Sequence, residues 1–330
     1  MFRTTTMMAL AAAALATTAF IATTAQAQTW TQTATPPGGT VWAMAQIGTT
    51  TFAGTTSGSV FRSTNAGASW AQIGPAGGKV RSLHVASGVL FAGLDTNISP
   101  GMAAIWRSTN SGTTWTPVIP LNAVMGPVHA ITSGPGYFLA ATNNGVLRST
   151  TGTGGWTPSN TGLNAAGGVR SLALSGSTVY AGTYGQGVFQ STNGGVSWTN
   201  IGLGGKYIQA LLISGNAVYA GGISGSEGVW KKTGTGAFVV ANTGLPLNSN
   251  NNLRDVYAFY QLGSTIYVGH ELGGSISKTV NGGATWTAAG AGISTPNSGR
   301  SFTYGNGTMY AGTDVGVWKW PVCPCMAEVQ

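Results

Sequence analysis

Apolar runs of four to six residues recur along this chain between clusters of Gly, Asn and Thr, the pattern of many short strands. They follow a repeated order. The best-preserved unit reads Val169-Arg170-Ser171-Leu172, then Val179-Tyr180-Ala181-Gly182, then Gly187-Val188-Phe189-Gln190-Ser191-Thr192-Asn193, and closes on Gly195-Val196-Ser197-Trp198. The first element begins at Val41, Val80, Val128, Val169, Ile208, Val256 and Gly299. The second is centred on Phe52, Phe91, Leu139, Tyr180, Tyr219, Tyr267 and Tyr310, and the third recurs at Val60, Ile105, Val146, Val188, Val229, Ile276 and Val317. Self-similarity of this length marks a repeat architecture.

The fourth element carries an aromatic at Trp70, Trp115, Trp156, Trp198, Phe238 and Trp286, one copy fewer than the others. The missing copy lies at the opposite end, in Thr29-Trp30-Thr31, which matches Ser197-Trp198-Thr199. A ring explains that displacement, because an N-terminal strand completes the last blade and leaves no open edge there. Linear stacking into a β-solenoid gives no reason for a lone fourth strand ahead of the first unit. Successive aromatics stand 40, 45, 41, 42, 40 and 48 residues apart, the length of a four-stranded blade. The expected fold is all-β: a seven-bladed β-propeller of four-stranded antiparallel blades over residues 28–322, its N-terminal strand closing the last blade.

Composition adds location and partner class. Apolar residues make up 42% of the chain, ample for a core, while charged residues make up only 6%. Arg3, the apolar stretch from Met7 to Ile21 and Ala25-Gln26-Ala27 read as an export signal over residues 1–27, so a secreted or periplasmic location is expected. The threonines at 17, 18, 23 and 24 break the stretch below the roughly 20 apolar residues a bilayer span needs, and no membrane span is expected. Net charge is +8 with no basic run, which disfavours nucleic acid and remains compatible with an anionic glycan. No HExxH, P-loop or GxSxG is present, and His84, His129 and His270 fall in different repeats, so no metal site or cofactor is expected. In the tail, residues 323–330, Cys323-Pro324-Cys325 admits a strained disulfide, a Cu(I) site, a link to a second chain or incidental thiols.

Between third and fourth strands sits Ser63-Thr64-Asn65-Ala66-Gly67-Ala68-Ser69-Trp70, repeated at Ser108 to Trp115, Ser191 to Trp198 and Thr279 to Trp286. This turn resembles the Asp-box, or BNR repeat, S-x-D-x-G-x-x-W, of sialidases, sortilin-type receptors, xyloglucan hydrolases and photosystem assembly propellers. Asn65, Asn110, Asn193 and Asn281 replace the Asp, and the copies at Ser149 to Trp156 and Lys232 to Phe238 are degenerate. The turn accounts for itself as structure: an Asn carbonyl caps backbone amides, Gly permits positive φ and Trp packs between sheets. The resemblance implies that the boxes lie on the face opposite any binding site. In the third strand, Arg62, Arg107, Arg148, Gln190, Lys231, Lys278 and Lys319 share one position, which reads as blade packing with a solvated head group.

Function is expected where the repeats disagree. The second residue of each first strand is Trp42, Arg81, His129, Arg170, Gln209, Tyr257 or Arg300 inside a near-constant framework. One such residue per blade rings the mouth of the channel, where three arginines suit a carboxylate or sulfate and Trp42 and Tyr257 suit a sugar face. Asp95, Glu227, Glu271 and Asp314 follow second strands and Asp255 precedes a first strand, which puts all five on the same face. The plain alternative is that they pair with the arginines as ordinary ion pairs. The sialidase resemblance casts Arg81, Arg170 and Arg300 as a triad, with Tyr257, Glu271 and Asp314 as catalytic candidates. Sialidases, however, have six blades, and xyloglucan hydrolases place their acids between two propellers. The seven-blade count resembles the assembly-factor branch, which binds proteins. The expectation is a monomeric, non-enzymatic binding or scaffold protein for a protein partner or anionic glycan, with a glycan-cleaving hydrolase as the alternative.

Overall fold

Seven four-stranded antiparallel sheets make up the computed structural model; six run outward in chain order from a first, inner strand, and the seventh takes its outermost strand from the N-terminus. The structure describes residues 29–322 apart from 37–38, 76, 96–102, 121–125, 165, 225–226, 272–275 and 295. The export segment and the tail cysteines lie outside the described residues. Blade 4 is representative, with strands Val169–Ser175, Thr178–Thr183, Val188–Ser191 and Thr199–Gly202. The inner strands of the seven blades are Val41–Ile47, Lys79–Ala86, Val128–Gly134, Val169–Ser175, Tyr207–Ser214, Val256–Leu262 and Gly299–Gly305. Each touches the next, and the last touches the first. Among the described residues no helix is long and apolar enough to cross a membrane.

The Ala-Gly pair of the second strand lets blades approach. A Cβ on Gly54 would run into the side chain of Val80, and one on Gly182 into Ile208, the opening apolar residue of the next blade. Those residues are fully buried, and the core is a series of inter-blade clusters rather than one centre.

Ring closure occurs as the displaced aromatic predicts. Thr31–Gln32 pairs with Gly316–Pro321, Thr31 opposite Lys319 and Gln32 opposite Trp318. Trp30 is 3% exposed, lies 6.0 Å from Trp320 between ring centroids, and donates its indole N–H to Ala289 O at 2.8 Å. That bond belongs to a series: Trp115 donates to Ile73 O, Trp198 to Ser159 O and Trp286 to Ala241 O, each in the preceding blade and each at 2.8 Å. Trp30 is thus the box tryptophan of blade 7.

The turns also explain their Asn. Asn65 Oδ1 accepts from Ser69 N at 2.9 Å and from Ser63 Oγ at 3.0 Å, while its Nδ2 donates to Ser69 Oγ at 2.8 Å. The same donation joins Asn110 to Thr114, Asn193 to Ser197 and Asn281 to Thr285. A carboxylate has no donor to make that bond, so the amide comes with a hydroxyl four residues on.

The third-strand cations are not simply solvated, which corrects the expectation for them. Arg62 donates to Ser111 O, Arg148 to Gly194 O, Lys231 to Gly282 O and Lys319 to Ala66 O, always a carbonyl in the intact box of the following blade. Blades 2, 4 and 6 precede degenerate or absent boxes. There Arg107 has an unpartnered Nε, and Gln190 turns to Tyr180 within its own blade. We expect Arg62→Met to lower unfolding stability by about 1–2 kcal/mol, the worth of a charged hydrogen bond at a partly exposed site, and Lys278→Met to change it little. Urea melts of the two variants check this contrast.

Candidate functional site

In all seven blades the pairing of first and second strands slips by one residue at the same place. The slips fall at Val41/Ala43, Val80/Ser82, Val128/Ala130, Val169/Ser171, Ile208/Ala210, Val256/Ala258 and Gly299/Ser301. The residues skipped are Trp42, Arg81, His129, Arg170, Gln209, Tyr257 and Arg300. A bulge leaves its extra residue outside the ladder and re-aims the side chain. Here all seven line one cavity of about 220 Å³ at the mouth of the ring.

Much of this polar ring is engaged with itself. Arg81 Nη2 lies 2.8 Å from Asp95 Oδ2, and Arg300 Nε lies 2.9 Å from Asp314 Oδ1. The guanidiniums of Arg81 and Arg300, from the blades on either side, stack on Trp42 at 4.6 Å each, and Arg300 also covers Tyr257 at 3.9 Å. These stacks hold planar cations against aromatic quadrupoles. They also change the expectation that Trp42 and Tyr257 receive a sugar, because guanidiniums already lie on both rings.

Arg170 differs from its two counterparts. In three blades the bulge residue meets the residue 14 positions on: Arg81 meets Asp95, Arg300 meets Asp314, and His129 meets Asn143 at 2.9 Å. In blade 4 that position is Tyr184, whose ring lies 4.9 Å from the Arg170 guanidinium and itself packs on Tyr207 at 4.3 Å. No carboxylate among the described residues makes an ion pair with Arg170. Its Nη1 lies 2.6 Å from His129 Nε2, the nitrogen that also meets Asn143, its Nη2 donates weakly to Gly167 O at 3.4 Å, and its Nε is buried without a partner. Burial lowers the Arg170 pKa, and the charge on Arg81 adds to this against opposition from Tyr184 and Asp95. It remains charged at any physiological pH.

His129 meets that guanidinium as a neutral ring. Burial, then the Arg170 charge, brings its pKa down to about 4. His84, hydrogen-bonded to Ser133 Oγ at 2.8 Å, is also held at about 4, and the fully buried His270 at about 3, both chiefly by burial. Folded pKa values below the unfolded 6.5 mean that the unfolded chain takes up protons first as pH falls. Stability is therefore full above pH 6.5 and declines from there toward pH 4, by on the order of 3 kcal/mol per histidine at the acid end. Three such groups rival a typical total of about 5–15 kcal/mol. Circular dichroism should show cooperative acid unfolding near pH 4–5, shifted to lower pH by His84→Gln.

The catalytic candidates come together only in part. Tyr257 lines the cavity, and burial, Asp255 and Glu271 raise its pKa against the opposing charge of Arg300. That is the reverse of an activated phenol. Asp314 is held by Arg300 and accepts from Ser298 N at 3.0 Å, and Asp95 pairs with Arg81 through Oδ2 while its Oδ1 is buried without a partner. Glu227 pairs with Lys206 at 3.3 Å. Asp255 accepts from Ser224 N at 2.9 Å; its pKa is raised by burial first and by Glu271 next. Among the described residues no group of three or more His, Cys, Asp or Glu is placed to hold a metal ion. Sequence reasoning placed the ring and missed the fixed offset of 14, which is visible once Arg81/Asp95 and Arg300/Asp314 are written one above the other.

The sequence matches no protein-family model and no curated protein. The fold is similar to solved structures. YCF48 from Cyanidioschyzon merolae aligns with a TM-score of 0.65 at 15% identity, over 89% of this chain and 98% of that one. YCF48 bound to a D1 peptide gives a TM-score of 0.68 at 13% identity over 89% and 97%. The GH74 xyloglucanase from Xanthomonas campestris gives 0.68 at 15% identity over 88% of this chain but only 53% of the enzyme. At such identities the likeness concerns architecture alone: these neighbours are seven-bladed β-propellers, and so is this chain.

Proposed function

We propose that this chain is an exported, non-enzymatic binding propeller that holds its partner by an anionic group placed in the mouth of the ring. The observation that carries the reading is Arg170, a half-buried guanidinium lining the cavity where its two counterparts have an aspartate and it has Tyr184. An anion entering there would find a guanidinium with no ion pair of its own, the nearby Asp95 being paired with Arg81. Of the two partner classes, a protein is favoured over an anionic glycan, because arginines already stack on Trp42 and Tyr257 and the cavity is too small for several sugar rings. The structural neighbour that carries a D1 peptide supports a protein-binding use of this architecture. The neighbouring xyloglucanase keeps a hydrolase as the second reading, and the Asp255–Glu271 pair beside Tyr257 is where its acids would lie.

Pull-down from envelope extract with wild type and Arg170→Gln tests the binding reading. A partner retained by wild type and lost by the variant, with no turnover of a fluorogenic sialoside or of a polysaccharide panel, supports it. Turnover abolished by Glu271→Ala or Tyr257→Phe would establish the hydrolase instead.

A further inference from the structure

The cavity has a second surface below the ring of bulge residues. Two positions beyond Arg170, Gln209 and Tyr257, on the same inner strands, come Leu172, Leu211 and Phe259, and all three line the cavity. They are half-buried, whereas the equivalent Met44, Ile131 and Phe302 of blades 1, 3 and 7 are buried, and the equivalent Leu83 of blade 2, also half-buried, packs against the cluster around Phe52 and Leu90 and does not line the cavity. The open apolar floor is therefore on blades 4 to 6, the side that carries Arg170. On that side the polar rim is also least satisfied: the Gln209 amide makes no hydrogen bond among the described residues, and the residue 14 positions on from it is Ile223.

We infer that the anionic group taken by this mouth is a carboxylate carrying one short apolar arm, rather than a sulfate, a phosphate or a sugar acid. This rests on the reading of Arg170 as the anion-binding group and adds the ligand's chemical class. The carboxylate sits on the Arg170 guanidinium in the planar two-point fashion that this group favours. The Gln209 amide is free to donate to the same carboxylate. The arm points down onto Leu172, Leu211 and Phe259 and replaces water there. A volume of about 220 Å³ is below the range of about 300–1,000 Å³ typical of drug-sized ligands, which limits the arm to one ring or a short chain. A sugar acid fits poorly, since its hydroxyls would lose water against the apolar floor without finding partners.

Calorimetric titration of the full chain with a set of small probes decides the matter. Phenylacetate supplies carboxylate and arm, acetate the carboxylate alone, 2-phenylethanol the arm alone, glucuronate a polar arm, and sulfate a different anion. Burial of a ring-sized arm should make phenylacetate bind about ten- to a hundredfold tighter than acetate, with 2-phenylethanol and glucuronate far weaker, and Arg170→Gln should abolish the phenylacetate signal. N-acetylphenylalanine, which presents the same groups on an amide stub, binds tighter than phenylacetate if the natural acid hangs from a partner chain and weaker if it is a free acid. Equal binding of acetate, sulfate, glucuronate and phenylacetate, all lost in Arg170→Gln, overturns the inference about the arm and leaves the anion reading standing. Binding of phenylacetate that survives Arg170→Gln overturns both. An absence of binding by every probe overturns the inference, and the pull-down then judges the anion reading by itself.

Discussion

Replacing Trp30 by Ala should cost about 3–5 kcal/mol, the range for truncating a large buried aromatic, and lower the melting temperature by about 10 °C. The reason lies in the ring. Trp30 fills the pocket between blades 6 and 7 beside Tyr267, Ile293 and Trp320, and its N–H reaches Ala289 O. The short strand that follows it makes only two paired positions with Gly316–Pro321, so the indole anchors the closure more than the ladder does. Without that anchor the outer edge of blade 7 opens, and with it the contact that makes the first and last blades neighbours. Trp30→Phe keeps the packing and loses the hydrogen bond, so its loss should be nearer 1 kcal/mol. Trp156 is the internal control. It belongs to a degenerate box, its indole N–H is buried without a partner, and Trp156→Ala should cost less than Trp30→Ala. Differential scanning calorimetry of the three variants tests the order; equal losses for Trp30→Ala and Trp156→Ala would show that ring closure does not depend on the N-terminal strand.

The architecture could be read from the sequence because a repeat repeats its errors as well as its rules. Six aromatics against seven copies of the other elements pointed to closure, and the displaced Trp30 said where. The ring of variable residues was legible for the same reason: Arg170 and Tyr257 differ while the residues flanking them barely change. What the sequence concealed were relations between blades and a distortion common to all of them. The bulge at Trp42 occurs also at Arg300 and at every position between, so aligning the repeats shows no insertion. The destination of Arg62 was hidden because its partner, Ser111, lies 49 residues on in the next blade's turn. The aromatic faces of Trp42 and Tyr257 looked available because a sequence does not show that neighbouring blades each lean a guanidinium across them.

Supplying Arg170 with the carboxylate that its counterparts possess should disable the mouth without disturbing the fold. Tyr184 stands where blades 2 and 7 place Asp95 and Asp314, and at those two positions an aspartate reaches the guanidinium of its own blade at 2.8 and 2.9 Å. Tyr184→Asp should therefore form a third intrablade pair and fill the site that the ligand's anion would use. The expected result is a loss of ligand affinity of at least about thirtyfold, comparable to deleting one partner of a hydrogen-bonded charge pair, together with unchanged or slightly raised thermal stability. Tyr184→Phe separates charge from shape, because it keeps the ring over which Arg170 lies and should bind within a few-fold of wild type. The double variant Tyr184→Asp with Arg170→Gln should bind no worse than Arg170→Gln alone, since the new carboxylate then has no cation to neutralise. If Tyr184→Asp binds as wild type does while Arg170→Gln does not, the guanidinium acts by hydrogen bonding that an internal carboxylate cannot satisfy. The uncompensated charge would then have no part in recognition.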